Sequence, residues 1–221
     1  MKLFINAITK FIVGILLVGA LIFLPAGTLK YNDGWNFVII LFFPILVMGI
    51  VLFIKAPDLL KKRLDGKEKE NTQKGVVAFS ALAFLAAFIV SGLDFRFAWS
   101  KIPFVVKVIA AVLFLFSYIL YAEVMRENAY LSRTIKVQKN QKVISTGLYG
   151  IIRHPMYAAT ILMFLCIPII LGSWFSFIIM LTYPAIIVVR IVNEEKVLSK
   201  ELKGYTQYKQ KVKYRIIPFI W

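Results

Sequence analysis

Two groups of residues in the C-terminal half of the chain carry side chains able to do chemistry. The first is Arg190 with Glu194, at the end of a stretch that is uncharged from Tyr157 to Val189. Counted from Trp174 along a helix, Arg190 comes after ~24 Å, at or slightly inside a membrane boundary. An ionisable group at that depth is costly unless it faces protein or a wet cavity. The spacing of four places Glu194 on the same helical face, within reach of Arg190. A snorkelling arginine on an ordinary helix end has the same spacing, so position alone leaves both readings open. Pro184 lacks the N–H that would bond the carbonyl of Met180 and predicts a kink that opens space near Arg190.

The second group is the run Gly147 to Tyr157, which contains His154, the single histidine of the chain. Pro155 suits the first position of a helix, which makes His154 its N-cap. A lone histidine is more often structural than catalytic. With no second histidine and no ligand set around it, a metal site is not expected. Gly147 and Gly150 lack the spacing and the strand–helix context of a dinucleotide or phosphate loop.

The elements that position these groups follow from composition. Of 221 residues, 60% are hydrophobic and 17% charged, against about 25% charged in a soluble domain. Mean hydropathy is +0.79. Long uncharged runs such as Trp35–Ile54 and Gly75–Leu93 approach the ~20 residues that cross a bilayer. The net charge of +16 belongs to loops that set membrane orientation rather than to a nucleic-acid surface. The lone Cys166, in an apolar run, allows no internal disulfide and behaves as a small hydrophobe.

This predicts an all-α integral membrane protein of about six transmembrane helices, near Ala7–Leu24, Trp35–Ile54, Gly75–Leu93, Phe104–Ala122, Tyr157–Leu171 and Trp174–Asn193. The first is read as an uncleaved span, not a signal peptide. Residues 1–127 hold about four spans and 128–221 the region that carries the chemistry, within one membrane domain. As a single helix the stretch from Tyr157 would run roughly 50 Å, so Gly172-Ser173 is read as the turn of a tight hairpin. The hairpin returns His154 and Tyr157 to the level of Arg190 and Glu194. Basic residues crowd Lys55–Lys74, Glu123–Met156 and the segment after the last span, while the intervening loops hold few or none. Both termini are therefore expected in the cytosol. Ile135–Ile144 alternates around Lys139-Asn140, a weak β-hairpin signal. From Lys196 an amphipathic helix and an aromatic, basic end are expected at the membrane surface.

In order, Gly147-Leu148-Tyr149, Arg153-His154-Pro155-Met156-Tyr157, Arg190-x-x-x-Glu194-Glu195, Tyr205-x-x-Tyr208 and Ile217-Pro218-Phe219 resemble the isoprenylcysteine carboxyl methyltransferase family. Membrane phospholipid methyltransferases are related to it. The resemblance covers about Asn128 to Trp221. It implies methyl transfer from S-adenosyl-L-methionine to a hydrophobic or lipid-like acceptor, a carboxylate before others, entering from the membrane. By the same resemblance, Gln138 and the stretch Gln141, Lys142, Val143, Ile144 match a cofactor-contacting loop. Tyr149, His154 and Tyr157, with Pro155 and Met156 between them, match cofactor-binding positions. Glu194 matches the glutamate that holds the cofactor and Arg190 the arginine that faces the acceptor. The implied partners are membrane lipids and the lipophilic acceptor; oligomeric state is not legible.

Two other readings use the same residues. The end Val212 to Trp221 and the Arg-His-Pro-x-Tyr segment also resemble the NADPH-dependent membrane sterol reductases, although Glu194-Glu195 suits a methyltransferase better. A transporter or scaffold would need polar residues through several spans, and the first three carry almost none.

Overall fold

The computed structural model describes residues 2–64, 71–131 and 137–221, and among them every regular element is helical. The first four long helices are α1 (Lys2–Ala26), α2 (Asn32–Lys55), α4 (Asn71–Phe97) and α5 (Phe104–Glu127), with the short amphipathic α3 (Pro57–Leu64) between α2 and α4. A 3-10 turn (Gly147–Gly150) leads into α6 (Pro155–Ile170), α7 (Trp174–Met180), α8 (Thr182–Glu201) and α9 (Tyr205–Lys211).

Among the described residues, five segments are long and apolar enough to cross a membrane: Lys2–Ala26, Asn32–Lys55, Gln73–Phe97, Phe104–Glu127 and Trp174–Glu201. The expected sixth, α6, has 16 residues, or about 24 Å against the ~30 Å hydrocarbon core. Its limits are chemical. Pro155 stands at its first position and His154 is its N-cap, as the sequence predicts. At the other end, Gly172 adopts a left-handed φ of 80°, and the Ser173 amide returns to the Pro168 carbonyl at 2.9 Å. Ser173 then caps α7, its hydroxyl accepting from the Ser176 amide at 3.0 Å. The hairpin turn is thus where Gly172-Ser173 predicted it. Near Pro184 the helix is interrupted for one residue: α7 stops at Met180 and α8 restarts at Thr182, so Pro184 lies in a first turn, where its missing N–H costs nothing.

The turn is anchored by buried polar groups at one end of the bundle. Asp94, 1% exposed, accepts from the Ser173 hydroxyl and from the amide and hydroxyl of Ser100, both at 2.7 Å. The Tyr31 hydroxyl donates to the Leu171 carbonyl. Lys107 pairs with Asp33 at 2.7 Å. Around this anchor, Ile22, Phe37, Phe88, Phe114, Cys166 and Ile167 form a core shared by α1, α2, α4, α5 and α6. At the opposite end Lys62 donates to the Ala129 carbonyl at 3.2 Å.

Two expectations are corrected. Over Val137–Ile144 there is a turn and no strand; Ile135 and Lys136 lie outside the described residues. Asn140 has φ 58° and the Gln141 amide bonds the Gln138 carbonyl at 3.0 Å. Val137 and Val143 both pack against Leu202, Tyr205, Tyr208 and Val212, so burial under the C-terminal segment replaces cross-strand pairing. Nor is the C-terminal segment one helix from Lys196. The last span continues to Glu201, Gly204 turns the chain at φ 89°, and α9 is a separate helix of 7 residues.

Helices α1 and α4 approach closely at Gly92, where a Cβ would stand 2.5 Å from the Ile22 carbonyl oxygen. Helix backbone cannot yield there, so Gly92→Val should separate the two helices. The expected cost is about 1–3 kcal/mol, read as a lower thermal midpoint in detergent.

Candidate functional site

The site begins with backbone pairing between distant segments. The amides of Arg153 and His154 donate to the carbonyls of Tyr214 and Arg215, each at 2.9 Å. This holds the start of α6 against the segment after α9. The Arg153 side chain completes the seam, its Nη1 reaching the carbonyls of Val212 at 2.7 Å and Lys213 at 2.8 Å. Its Nε donates to Glu195 Oε1 at 2.7 Å.

Glu195 is the hub. It is 3% exposed, and His154 Nε2 lies 3.3 Å from the oxygen that Arg153 bonds. The other oxygen accepts from Arg215 Nε at 3.0 Å, with Lys209 Nζ at 4.0 Å. A carboxylate this deep is tolerable because both oxygens are hydrogen-bonded and opposite charge surrounds it.

Successive helical residues point about 100° apart, so Glu194 faces elsewhere. The Tyr157 hydroxyl donates to Glu194 Oε2 at 2.5 Å and accepts from Arg190 Nε at 2.8 Å. One phenol therefore joins the arginine and the glutamate that helical spacing placed on a common face. Tyr157 is held in turn by packing among Met180, Tyr183, Ile187 and Ile191, and its ring lies 5.7 Å from that of His154.

These groups line a cavity of roughly 840 Å³, its solvent-open part included, within the range of small-molecule sites. Of the residues expected from sequence, Gln141, Lys142, Val143, Ile144, Tyr149, His154, Met156, Tyr157, Arg190 and Glu194 all line it. Gln138 and Pro155 do not. Gln138 clamps the loop: its side-chain amide donates to the Tyr130 carbonyl, and its backbone amide donates to Gln141 Oε1 at 2.8 Å. Pro155 is buried at the start of α6.

Several lining residues were not foreseen as such: Asn128, Tyr130, Arg153, Tyr205 and Tyr208 among them. Asn128 donates to the Tyr149 hydroxyl at 2.9 Å, and the Tyr208 hydroxyl donates to the Tyr149 carbonyl at 2.7 Å. Burial raises the Tyr149 phenol to about 12, against the Asn128 bond, which lowers it, with the Glu194 charge raising it further. Burial also raises Tyr205 and Tyr208. All three rings are therefore neutral at physiological pH. Tyr205 is 4% exposed, yet its hydroxyl has no hydrogen-bond partner among the described residues. The spacing Tyr205-x-x-Tyr208 was the available signal, since three residues apart share one helical face.

The cavity wall also depends on a glycine. Gly147 has φ 52°, and a Cβ there would lie 1.4 Å from Glu127 Oε1. The Glu127 carboxylate accepts from the Leu148 amide at 3.1 and 3.2 Å. Only glycine permits that approach together with that backbone angle.

Residues 105–204 match the family model for phospholipid methyltransferases. The match runs from α5 to Gly204 and includes the 3-10 turn, His154, Tyr157, Arg190 and Glu194. It stops one residue before Tyr205. The chain is also 29% identical over 91 residues to the Delta(14)-sterol reductase of Mus musculus, covering 40% of this chain and 22% of the reductase. The chain thus spans about a fifth of the length of that curated relative.

The two glutamates should respond differently to mutation. Glu195→Ala strands the buried Arg153 and is expected to cost about 3–5 kcal/mol of stability. Glu194→Gln, at a partly exposed wall position, should leave the thermal midpoint nearly unchanged. Melting both variants in the same detergent checks the distinction.

Proposed function

We propose that this chain is an S-adenosyl-L-methionine-dependent membrane methyltransferase acting on a hydrophobic or lipid-like acceptor at the cytosolic membrane face. The observation that carries the reading is the Arg190–Tyr157–Glu194 chain of hydrogen bonds on the wall of an aromatic cavity. The family-model match over 105–204 supports it. The resemblance to isoprenylcysteine carboxyl methyltransferases extends it to a carboxylate acceptor.

The lining suits that cofactor. Glu194 supplies the acceptor for an ammonium group through a charge-assisted hydrogen bond. Tyr149, Tyr157, Tyr205 and Tyr208 present neutral rings to a cation, each face worth ~0.5–2 kcal/mol. The buried Tyr205 hydroxyl has no partner among the described residues, an unmet polar group that a bound molecule would satisfy. The start of α6 at Pro155–Tyr157 borders the cavity through His154, Met156 and Tyr157, and a helix start favours a carboxylate. When bound, the cofactor supplies an electrophilic methyl group on a sulfonium centre. The protein's part is alignment and exclusion of water. Arg190, its Nε fixed by the Tyr157 hydroxyl, orients an anionic acceptor; a guanidinium suits a carboxylate. Tyr157, bonded to both, keeps the acceptor side in register with the cofactor side.

The match to a sterol reductase favours a second reading, an NADPH-dependent membrane reductase. Equilibrium binding to the purified protein separates the two. S-adenosylmethionine or its demethylated product should bind and NADPH should not; the reverse result sinks the methyltransferase reading.

Glu194→Gln is expected to weaken cofactor binding by roughly ten- to a hundredfold, the scale of a hydrogen bond to a charged group. Tyr205→Phe should weaken it by about three- to tenfold with no loss of thermal stability, since no protein bond is broken. Arg190→Ala should abolish turnover while lowering cofactor affinity less than Glu194→Gln does. Calorimetry on the three variants, with single-turnover methyl transfer for Arg190→Ala, tests the roles one by one.

A further inference from the structure

Across Glu195 from the cavity lies a second, outward-facing groove of about 580 Å³, its solvent-open part included, lined by Val192, Glu195, Lys196, Ser199, Lys209 and Arg215. Its floor is the carboxylate that already accepts from the buried Arg153 at 2.7 Å and from Arg215 at 3.0 Å. Arg153 balances that charge from inside, so Lys196, Lys209 and Arg215, the last two also facing the carboxylate, give the groove a net positive charge, and Ser199 adds a hydroxyl donor. Three cations and a hydroxyl around a concave opening suit a phosphate.

The groove sits where the surface of α8 changes character. On its outer face Val188, Val189 and Val192 are exposed apolar residues. One turn further, Lys196 and Ser199 are exposed polar ones. On a membrane-crossing helix that change marks the edge of the hydrocarbon. The C-terminal segment reaches the same depth, because Ile216 and Trp221 pack against the Tyr183, Ile187 and Ile191 cluster. Beside them Ile217, Phe219 and Ile220 are 50, 87 and 77% exposed. Phe219 is directed outward from a left-handed backbone, at φ 66°, a conformation that is costly for a bulky residue. An apolar surface at the membrane edge thus adjoins the cationic groove.

We propose that this groove binds an anionic phospholipid, with the headgroup phosphate among Lys196, Ser199, Lys209 and Arg215 and the acyl chains along Val188, Val192 and the exposed apolar residues of the C-terminal segment. It is separate from the methyl-acceptor site. The Arg153–Glu195 pair stands between groove and cavity, with Arg153 and His154 lining the cavity and Glu195 and Arg215 the groove. A free phosphate would satisfy the cations equally but would leave the apolar surface uncovered, so the lipid is the occupant the surface favours.

The test is native mass spectrometry of the full chain released from micelles holding phosphatidylglycerol, phosphatidylcholine or inorganic phosphate. Wild type should retain phosphatidylglycerol in preference to phosphatidylcholine. The double variant Lys196→Gln, Lys209→Gln should lose that retention by roughly tenfold or more. Both lysines are at the surface and outside the cavity lining, so thermal stability and S-adenosylmethionine binding serve as folding controls. Equal retention of the two lipids, or undiminished phosphatidylglycerol on the double variant, overturns the proposal. Displacement of the lipid by an equal concentration of inorganic phosphate also overturns it, by making the site one for a free anion.

Discussion

A carboxylate with almost no access to water holds the functional half of this protein together. Glu195 accepts from Arg153 at the start of α6 and from Arg215 in the C-terminal segment, and Arg153 in turn caps the carbonyls of Val212 and Lys213. An isolated charge at that depth would be prohibitive. Each partner is therefore required by the others, and three stretches far apart in the chain are forced into one arrangement. The aromatic cavity forms because Tyr149, Tyr157, Tyr205 and Tyr208 stand on those stretches. Removing one partner of a buried ion pair strands the other charge, so the contacts to Glu195 hold one arrangement. Here the geometry specified is that of the site.

The lipid environment imposes the second constraint. Backbone polar groups must be satisfied within the helices, and the departures from helix occur where other bonds replace the missing ones. The α6–α7 turn takes its bonds from Gly172, Ser173 and the buried Asp94. The α7–α8 break coincides with Pro184 in a first helical turn. The α6–α7 turn returns the chain so that α6 and α8 present His154, Tyr157, Arg190 and Glu194 to a single space. The other end of the bundle is pinned by Asp94, Tyr31 and the Lys107–Asp33 pair, which fixes the hairpin at its far end and leaves the cavity end to be closed by the C-terminal segment.

Between Asn128 and Gly150 the described residues build a wall whose one regular element is the 3-10 turn. The Gln141 side chain accepts from the Gln138 backbone amide, the Gln138 side chain donates to the Tyr130 carbonyl, Asn128 reaches Tyr149, and Gly147 lets Glu127 approach within a distance no Cβ would allow. Val137 and Val143 then seal the loop beneath α9. Side-chain amides do the work that a ladder would do in a sheet, and an alternating pattern of residues was misleading for that reason: its apolar positions serve one shared cluster.

What the sequence by itself determined is the part governed by solvent and by short-range geometry. Hydropathy alone identified the membrane helices, because twenty apolar residues have few other places to go. Pro155, Gly172 and Pro184 declared a start, a turn and a break through their own backbone chemistry. Spacing of four put Arg190 and Glu194 on one face. Tertiary structure alone decided what depends on meetings between distant segments. That the far end of the hairpin is held by the buried Asp94 and by Tyr31 follows from where α2 and α4 pack. That Gln138 clamps a loop while Gln141 lines the cavity follows from where Tyr130 lies. Adjacent glutamates took opposite duties, Glu194 facing the cavity and Glu195 bonded to the buried Arg153. No local pattern separates two identical side chains a hundred degrees apart on a helix; only the elements packed around them do.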